Sequence, residues 1–543
     1  MLRYVFRLAA GLSVLVVLAG CSTPEQIAQT IPHIDDYGTP VGARTVQQGG
    51  DLVMALSNEP DRLDPTTSSS LYTRYVMNTI CEKLYDVDLE GRVVPQLATA
   101  LPDFSGDGLT ATIPVRTGVH FADGTAFDAT AVQTSLQRHY TAKNSQRTGE
   151  MGAVAGIEAA DPTHVVIRFK QPFAPITAAL ADRAGMIMSP AVLTKDGDNF
   201  GDHPVCVGPF KFAERQPGVS ITVIRDPQYY DAQHVYLDSI TYRITADPTT
   251  RAAHIRSGEV QVADQISPAD VDTIATESDL HLLQSGSLGF QGITINMGNA
   301  DGVGKPVKPL ETALAKDPRV RLALSLSVDR KQLVDDVFHN WFEPACSPIA
   351  PQSPFATRNT SQCPQFDPER AKALLTEAGV ALPYPITLHV MNNSDQLHYA
   401  QALQASVAQG GFEVKIVPVD YTTLLEMQKR GNFEALMLGW SGRLDPDGNI
   451  TRFFATGSNG NYGGFSSQTL DDLLAWAARS GNVGQRAALY EQAVQALRRD
   501  NPYIYTYRLR NLTVHSTRVT GIEVFPDGAV RLGRAAFVAD RKN

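Results

Sequence analysis

What the chain has little of narrows its class before any motif is read. Its 543 residues include only five cysteines and three tryptophans, and no two cysteines show the close spacing of a zinc site. No His-Glu-x-x-His occurs. Gly302-Val303-Gly304 stops short of a third glycine, and Gly439-Trp440-Ser441-Gly442-Arg443 lacks the final glycine of a nucleophile elbow. Asp86-Val87-Asp88-Leu89-Glu90-Gly91 begins like a calcium loop, but its twelfth position is Leu97, where a glutamate should complete the shell. These gaps count against an enzyme, and no cofactor is expected. Positive charge is short as well. Lys and Arg number 47 against 57 Asp and Glu, a formal net charge of −10, which argues against nucleic acid or an anionic membrane surface as partner.

Long apolar runs are missing with one exception. Residues 8–19, behind Arg3 and Arg7, are too few to span a bilayer but suit a signal peptide. The run ends Leu18-Ala19-Gly20-Cys21, which resembles the bacterial lipobox, where the cysteine is lipidated and becomes the mature N-terminus. The expectation is a signal peptide over 1–21, a lipid (palmitate) on Cys21 and a polar, flexible tether over 22–48. No second long apolar segment follows, so the body meets the membrane through its lipid anchor only. Four cysteines remain in an exported chain that can keep disulfides. Cys346 and Cys363 bracket a proline-rich loop and are expected to pair, whereas Cys81 with Cys206 needs a tertiary contact and stays open.

What is present is an alternation of short strands and helices over a length that calls for two or three domains. The run Ala435-Leu436-Met437-Leu438 reads as a buried strand that stops at Gly439-Trp440, and a polar turn, Ser441 to Asn449, follows. A tryptophan delivered to the end of a strand covers a flat ligand with large apolar area and few rotors. Strands over 386–390, 414–419 and 435–440 alternate with helices over 399–409 and 424–429, an α/β pattern. Asp367-Pro368-Glu369 opens a helix as N-cap, first-position proline and first-turn acid. Ala371, Leu374, Leu375 and Ala378 form its apolar face, and Gly379 stops it. Asp128 is placed to cap a helix through Val132 and Leu136.

Five segments carry a resemblance. They are Leu63-Asp64-Pro65, Val115-Arg116-Thr117-Gly118-Val119-His120-Phe121-Ala122-Asp123-Gly124-Thr125, Cys206-Val207-Gly208-Pro209-Phe210, Asp317-Pro318-Arg319-Val320-Arg321-Leu322-Ala323-Leu324 with Val328-Asp329-Arg330, and Phe366-Asp367-Pro368-Glu369-Arg370-Ala371-Lys372-Ala373-Leu374-Leu375. In this order they resemble the extracytoplasmic solute-binding proteins of family 5, the dipeptide, oligopeptide and nickel branch that serves ABC importers. Val115 replaces a leading leucine, Ala131 replaces a later aspartate, and the third segment keeps only its central Gly208-Pro209.

The resemblance implies a two-lobed, type II periplasmic-binding-protein-like fold with an extra third domain and a hinge between the lobes. Lobe 1 is then 49–92, 207–289 and 512–543 (domain I), with 93–206 as its extra domain II, and lobe 2 is 290–511 (domain III). The crossings fall near Gly289-Phe290 and Asn511. It implies a lipid-anchored protein on the extracytoplasmic face of the bacterial cell membrane that captures short peptides for an ABC permease and its ATPase. An extended peptide would pair with main chain at Ser68, Ser69 and Ser70 and at Gly439, Trp440 and Ser441, next to Gly442 and Arg443. Where many relatives place an aspartate for the peptide amine, this chain has Arg443, and Asp445 is the nearest replacement. The loop Met391-Asn392-Asn393-Ser394-Asp395 has no arginine for a dipeptide carboxylate. Losing both clamps points to peptides longer than two residues, or to one with a modified end, held mainly by backbone bonds and Trp440. Haem, a nickel chelate or an oligosaccharide are other solutes the family carries. A lipoprotein that scaffolds or signals without transport is an alternative of another class.

Overall fold

Asp51–Leu56 is an apolar strand buried along most of its length, and it needs neighbours on both edges. It finds parallel ones, Ser239–Ile244 and Val262–Ala263, at the middle of a seven-stranded sheet. The order across that sheet is Leu280–Gly286, Arg510–Ser516, Val262–Ala263, Asp51–Leu56, Ser239–Ile244, Ser220–Arg225 and Phe210–Gln216. The structure, a computed structural model, describes residues 33–42 and 44–539. The expected signal peptide over 1–21, lipidated Cys21 and the start of the tether lie outside the described residues. No helix among the described residues is long and apolar enough to cross a membrane.

A second sheet of six strands runs Glu343–Pro344, Tyr503–Arg508, Gln291–Ile295, Ala435–Met437, Tyr384–Met391 and Phe412–Val419. Its α/β character follows from the sequence pattern. Tyr384–Met391 is parallel to both Phe412–Val419 and Ala435–Met437, with the helices Ser394–Gln409 and Tyr421–Arg430 as crossovers. A four-stranded antiparallel sheet of Asp103–Phe104, Thr110–Pro114, His164–Phe169 and Val154–Asp161 stands beside the first. One apolar core joins these two sheets, from Met54 and Ile240 to Ile113 and Ile167. The six-stranded sheet has a core of its own around Leu388, Tyr399 and Tyr507.

The chain passes between the large sheets twice. It leaves the first in residues 287–290 and returns at Leu509, and Asn511 is already paired with Ser285 in the first sheet. Arg508, 1% exposed, ties the two passages together. Its guanidinium donates to the carbonyls of Gly289, Ser347 and Ile349.

Caps appear where the residues call for them. Asp367 accepts from the Arg370 amide at 2.9 Å and Asp128 from the Ala131 amide at 2.9 Å. Both disulfides are present, Cys346–Cys363 as expected and also Cys81–Cys206, with Cα atoms 4.9 Å apart. The tether needs a correction. From His33 onward the segment lies along the first sheet and its C-terminal strands: Asp36 exchanges main-chain hydrogen bonds with Gln284, and the Gln47 amide donates to the Phe537 carbonyl at 2.8 Å. Composition alone could not show these edge bonds, because main-chain pairing ignores side-chain polarity.

Candidate functional site

Between the two large sheets lies a cavity of about 620 Å³, part of it open to solvent. Ser69 and Leu71 line it from the first lobe, and Tyr421, Gln428, Trp440 and Arg452 from the second. Trp440 reaches it because the strand Ala435–Met437 runs on past its ladder. Beyond Met437, Trp440 exchanges both main-chain hydrogen bonds with Phe290, at 2.8 and 2.9 Å. Successive residues of an extended chain point their amides to opposite sides. Gly439 and Ser441 therefore turn theirs away from Phe290, and these groups make no hydrogen bond among the described residues. The result is a short unpaired strand edge on the cavity wall. Gly442 then turns the chain at φ +91°, in a space where a Cβ would meet the Leu288 main chain at 2.4 Å.

The indole is 9% exposed and fixed on all sides. Its N–H donates to Asn449 Oδ1 at 2.9 Å, and Phe453 meets it edge-on at 5.0 Å. The Arg443 guanidinium lies 4.1 Å from the ring centroid and that of Arg452 lies at 5.3 Å, both within cation–π range.

The opposite wall is a turn organised by Asp61. Its carboxylate accepts the Ser69 amide at 2.8 Å, the Ser70 amide at 3.2 Å and the Thr73 hydroxyl at 2.9 Å. Burial pushes this carboxyl up, but the Ser69 hydrogen bond and nearby Lys429 and Arg183 leave it below its ordinary value. The Ser68 carbonyl accepts from Arg147 and Arg183, and the Ser70 carbonyl from Arg183 at 3.0 Å. The Ser68 amide bonds Asp64. Only the Ser69 carbonyl remains unpaired among the described residues of this segment. Tyr421 spans the gap between the walls, its hydroxyl 3.3 Å from Ser70 Oγ.

Around both walls runs a layer of five guanidinium groups and three carboxylates. Asp182 takes Arg74 at 3.0 Å and Arg443 at 2.6 Å, Asp527 also takes Arg74, and Glu150 is shared by Arg147 at 2.9 Å and Arg452 at 3.2 Å. Arg183 has no carboxylate partner among the described residues. Burial, with Arg147 alongside, lowers Arg183 to about 9, and burial lowers Arg443 to about 9 despite Asp182. Burial would raise Asp182, but Arg443 and Arg74 hold it well below the carboxylate range.

The structure brings Ser69, Gly439, Trp440 and Ser441 together on one cavity. Ser68 and Ser70 sit just behind it, their carbonyls taken by arginines. Gly442 and Arg443 follow on the far side of the indole. Asp445 lies elsewhere, gripped by Arg486 at 2.6 and 2.7 Å, and lines a smaller neighbouring cavity with Asp182 and Arg443. Sequence reasoning missed Tyr421, Gln428 and Arg452. Each lies on a helix whose exposed and buried faces are set by packing, and no local signal marks it.

Residues 92–462 match the family model of bacterial extracellular solute-binding proteins, family 5. The glutathione-binding protein GsiB of Escherichia coli (strain K12) is 29% identical over 489 residues, covering 88% of this chain and 92% of its own. Among solved structures, the oligopeptide-binding protein AppA of Bacillus subtilis, in complex with a nonapeptide, aligns with a TM-score of 0.82 at 22% identity, covering 91% of this chain and 100% of its own. The periplasmic binding protein DppA of Helicobacter pylori, in complex with the peptide STSA, aligns with a TM-score of 0.80 at 22% identity, over 91% and 99%. The fold is thus the two-lobed type II arrangement with an extra domain.

Proposed function

We propose a function from one premise: the chain belongs to the bacterial extracellular solute-binding proteins, family 5. Proteins of this family are extracytoplasmic, bind peptides or related solutes for ABC importers and are not enzymes. For this chain the reading supported best is a lipid-anchored receptor that closes on a short peptide of more than two residues. It would then present that peptide to the permease and ATPase subunits of its importer. Lobe 1 is taken as 49–92, 207–289 and 512–543 with 93–206 as its extra domain, lobe 2 as 290–511, and residues 287–290 and Leu509 as the hinge.

One observation carries this reading: the unpaired main-chain edge of Gly439 and Ser441 on the wall of a cavity that Ser69 lines as well. Main-chain groups on a cavity wall match main-chain groups of a ligand, and such pairing holds an extended peptide whatever its side chains. The relatives named for glutathione and for the STSA peptide bind short peptides.

The test is native mass spectrometry of the purified chain, followed by titration of the peptide found. Methylating the amide nitrogen of that peptide that meets the Ser441 edge should weaken binding at least tenfold, about 1.4 kcal/mol. Equal affinity for every singly N-methylated form would remove the strand-pairing reading. An oligosaccharide is a second reading, favoured by the aromatic rings of Phe290, Tyr421, Trp440, Phe453, Tyr462 and Tyr503 around the cavity. A glycan mass in the same spectrum would select it.

A further inference from the structure

The wall of the cavity carries a single charge. Among the described residues that line it, Arg452 is the one basic side chain, and there is no carboxylate. Arg452 is 6% exposed, its guanidinium lies against Trp440, and its buried Nε–H has no partner among the described residues. Its other N–H groups reach Gln146 and Glu150, but Glu150 lies closer to Arg147. Behind the indole, Arg443 shares Asp182 with Arg74, and behind Ser68 to Ser70, Arg183 makes no ion pair among the described residues, with Asp61 nearby. Counting Asp61 with Asp182, Asp527 and Glu150, five guanidinium groups still outnumber the four carboxylates around a cavity whose lining side chains include no carboxylate.

A peptide brings an ammonium and a carboxylate into this space. The ammonium would be desolvated without a counter-charge, which is costly. The carboxylate would meet the cation of Arg452, whose partner Glu150 is shared with Arg147, and a carboxylate beside a guanidinium makes strong charge-assisted hydrogen bonds. We propose that the solute captured here is an acid. Its carboxylate lies against Arg452 beside Trp440, and a free amine is no part of what the cleft recognises. Acidic peptides, and peptide-like conjugates whose amine is acylated, are the chemical class. The inference rests on the peptide reading and names its charge.

The experiment uses the purified full chain, freed of ligand, and a casein digest in three forms: untreated, acetylated at its amines, and methyl-esterified at its carboxyls. Peptides retained by the chain are counted by mass spectrometry. The expected result is retention of the acetylated digest within about twofold of the untreated one, and at least tenfold less of the esterified one. Arg452→Gln should bring untreated and esterified digests to near parity, and Arg452→Lys should restore the preference. If Arg452→Gln does not fold, the three digests on the unaltered chain together with Arg452→Lys still decide. Equal retention of the esterified digest, or loss of the acetylated one, overturns the acid assignment and leaves the peptide reading standing. Retention of nothing from any digest overturns the peptide reading, and the acid assignment with it.

Discussion

Glu82 sits where ionisation gains little. It is 6% exposed, its Oε2 has no partner among the described residues, and its Oε1 accepts the hydroxyls of Tyr229 at 2.6 Å and Tyr230 at 3.2 Å. Burial outweighs those hydrogen bonds and pushes its carboxyl up to about 7. A carboxyl raised by folding stabilises the protein fully below its unfolded value, and that contribution is lost as pH rises through the folded value. Between about pH 4.5 and 7 the loss is about 3 kcal/mol. Glu82 thus favours pH 5 over pH 8, while His139 and His515, both lowered to about 4 by burial, favour pH 8, so the variant is the test: Glu82→Gln should shift the gap between the melting temperatures at pH 5 and pH 8 by raising the pH 8 end. An unchanged gap in the variant would sink this account. Asp447, raised to about 7 by burial and Asp445, should leave part of the gap in place. In the cleft, Trp440→Phe keeps a ring but loses the N–H to Asn449. That hydrogen bond lies within the protein, so its loss predicts stability lower by about 1 kcal/mol in urea unfolding. Asn449 Oδ1 still accepts the Arg443 amide at 2.8 Å, so no acceptor is orphaned. The residues of this site that could be read in the sequence sit beside strong local signals: Trp440 ends an apolar run and Ser69 follows Leu63-Asp64-Pro65. Arg452 and Tyr421 have no such neighbours, because it is packing that turns their helices toward the cavity.

Elements were legible where one residue type serves one mechanical purpose. Asp367-Pro368 starts its helix and Asp128 caps the next because a side-chain oxygen three residues before an amide meets that amide whatever surrounds it. Ends governed by tertiary contact were misplaced. The helix Leu71–Ile80 ends where it does because Cys81 takes an extended conformation and bonds Cys206. The strand expected over 435–440 ends at Met437, because its partner Gln291–Ile295 ends its ladder there and Trp440 pairs with Phe290 alone. The crosslinks supply the test at this scale. Cys81 and Cys206 are separated by 125 residues, Cys346 and Cys363 by 17. If each acts chiefly by shortening the unfolded chain, losing the long-range bond costs about 5 kcal/mol and losing the local one about 3 kcal/mol. Urea unfolding of Cys81→Ser/Cys206→Ser and Cys346→Ser/Cys363→Ser double variants should rank them in that order. The reverse ranking would show that native-state contacts, not loop closure, set their value.

In the whole molecule the lobes meet through polar contacts on both flanks of the cleft. Arg443 pairs with Asp182, Arg452 bonds the Gln146 carbonyl at 2.8 Å, and Ser267 bonds Asp395 at 3.0 Å. The Ala174 amide donates to the Ala478 carbonyl at 2.8 Å. The two-lobed plan was legible from five ordered motifs, but these bridges were not, because they join residues hundreds of positions apart that no periodicity connects. They imply a closed form held in part by the protein itself, with ligand adding to what the bridges provide. Asp182 is the most connected of them, since it serves Arg74 within its own lobe and Arg443 across the cleft. Asp182→Asn leaves two buried guanidinium groups short of charge, and breaking a buried pair costs about 3 kcal/mol or more. Even half of that, directed at closure, shifts the open-to-closed ratio about tenfold. Small-angle scattering should therefore show a larger radius of gyration for the ligand-free variant than for the unaltered chain. Ligand should restore the compact value, at a roughly tenfold higher concentration. A variant as compact as its parent without ligand would mean that the bridges follow closure and do not help to hold it.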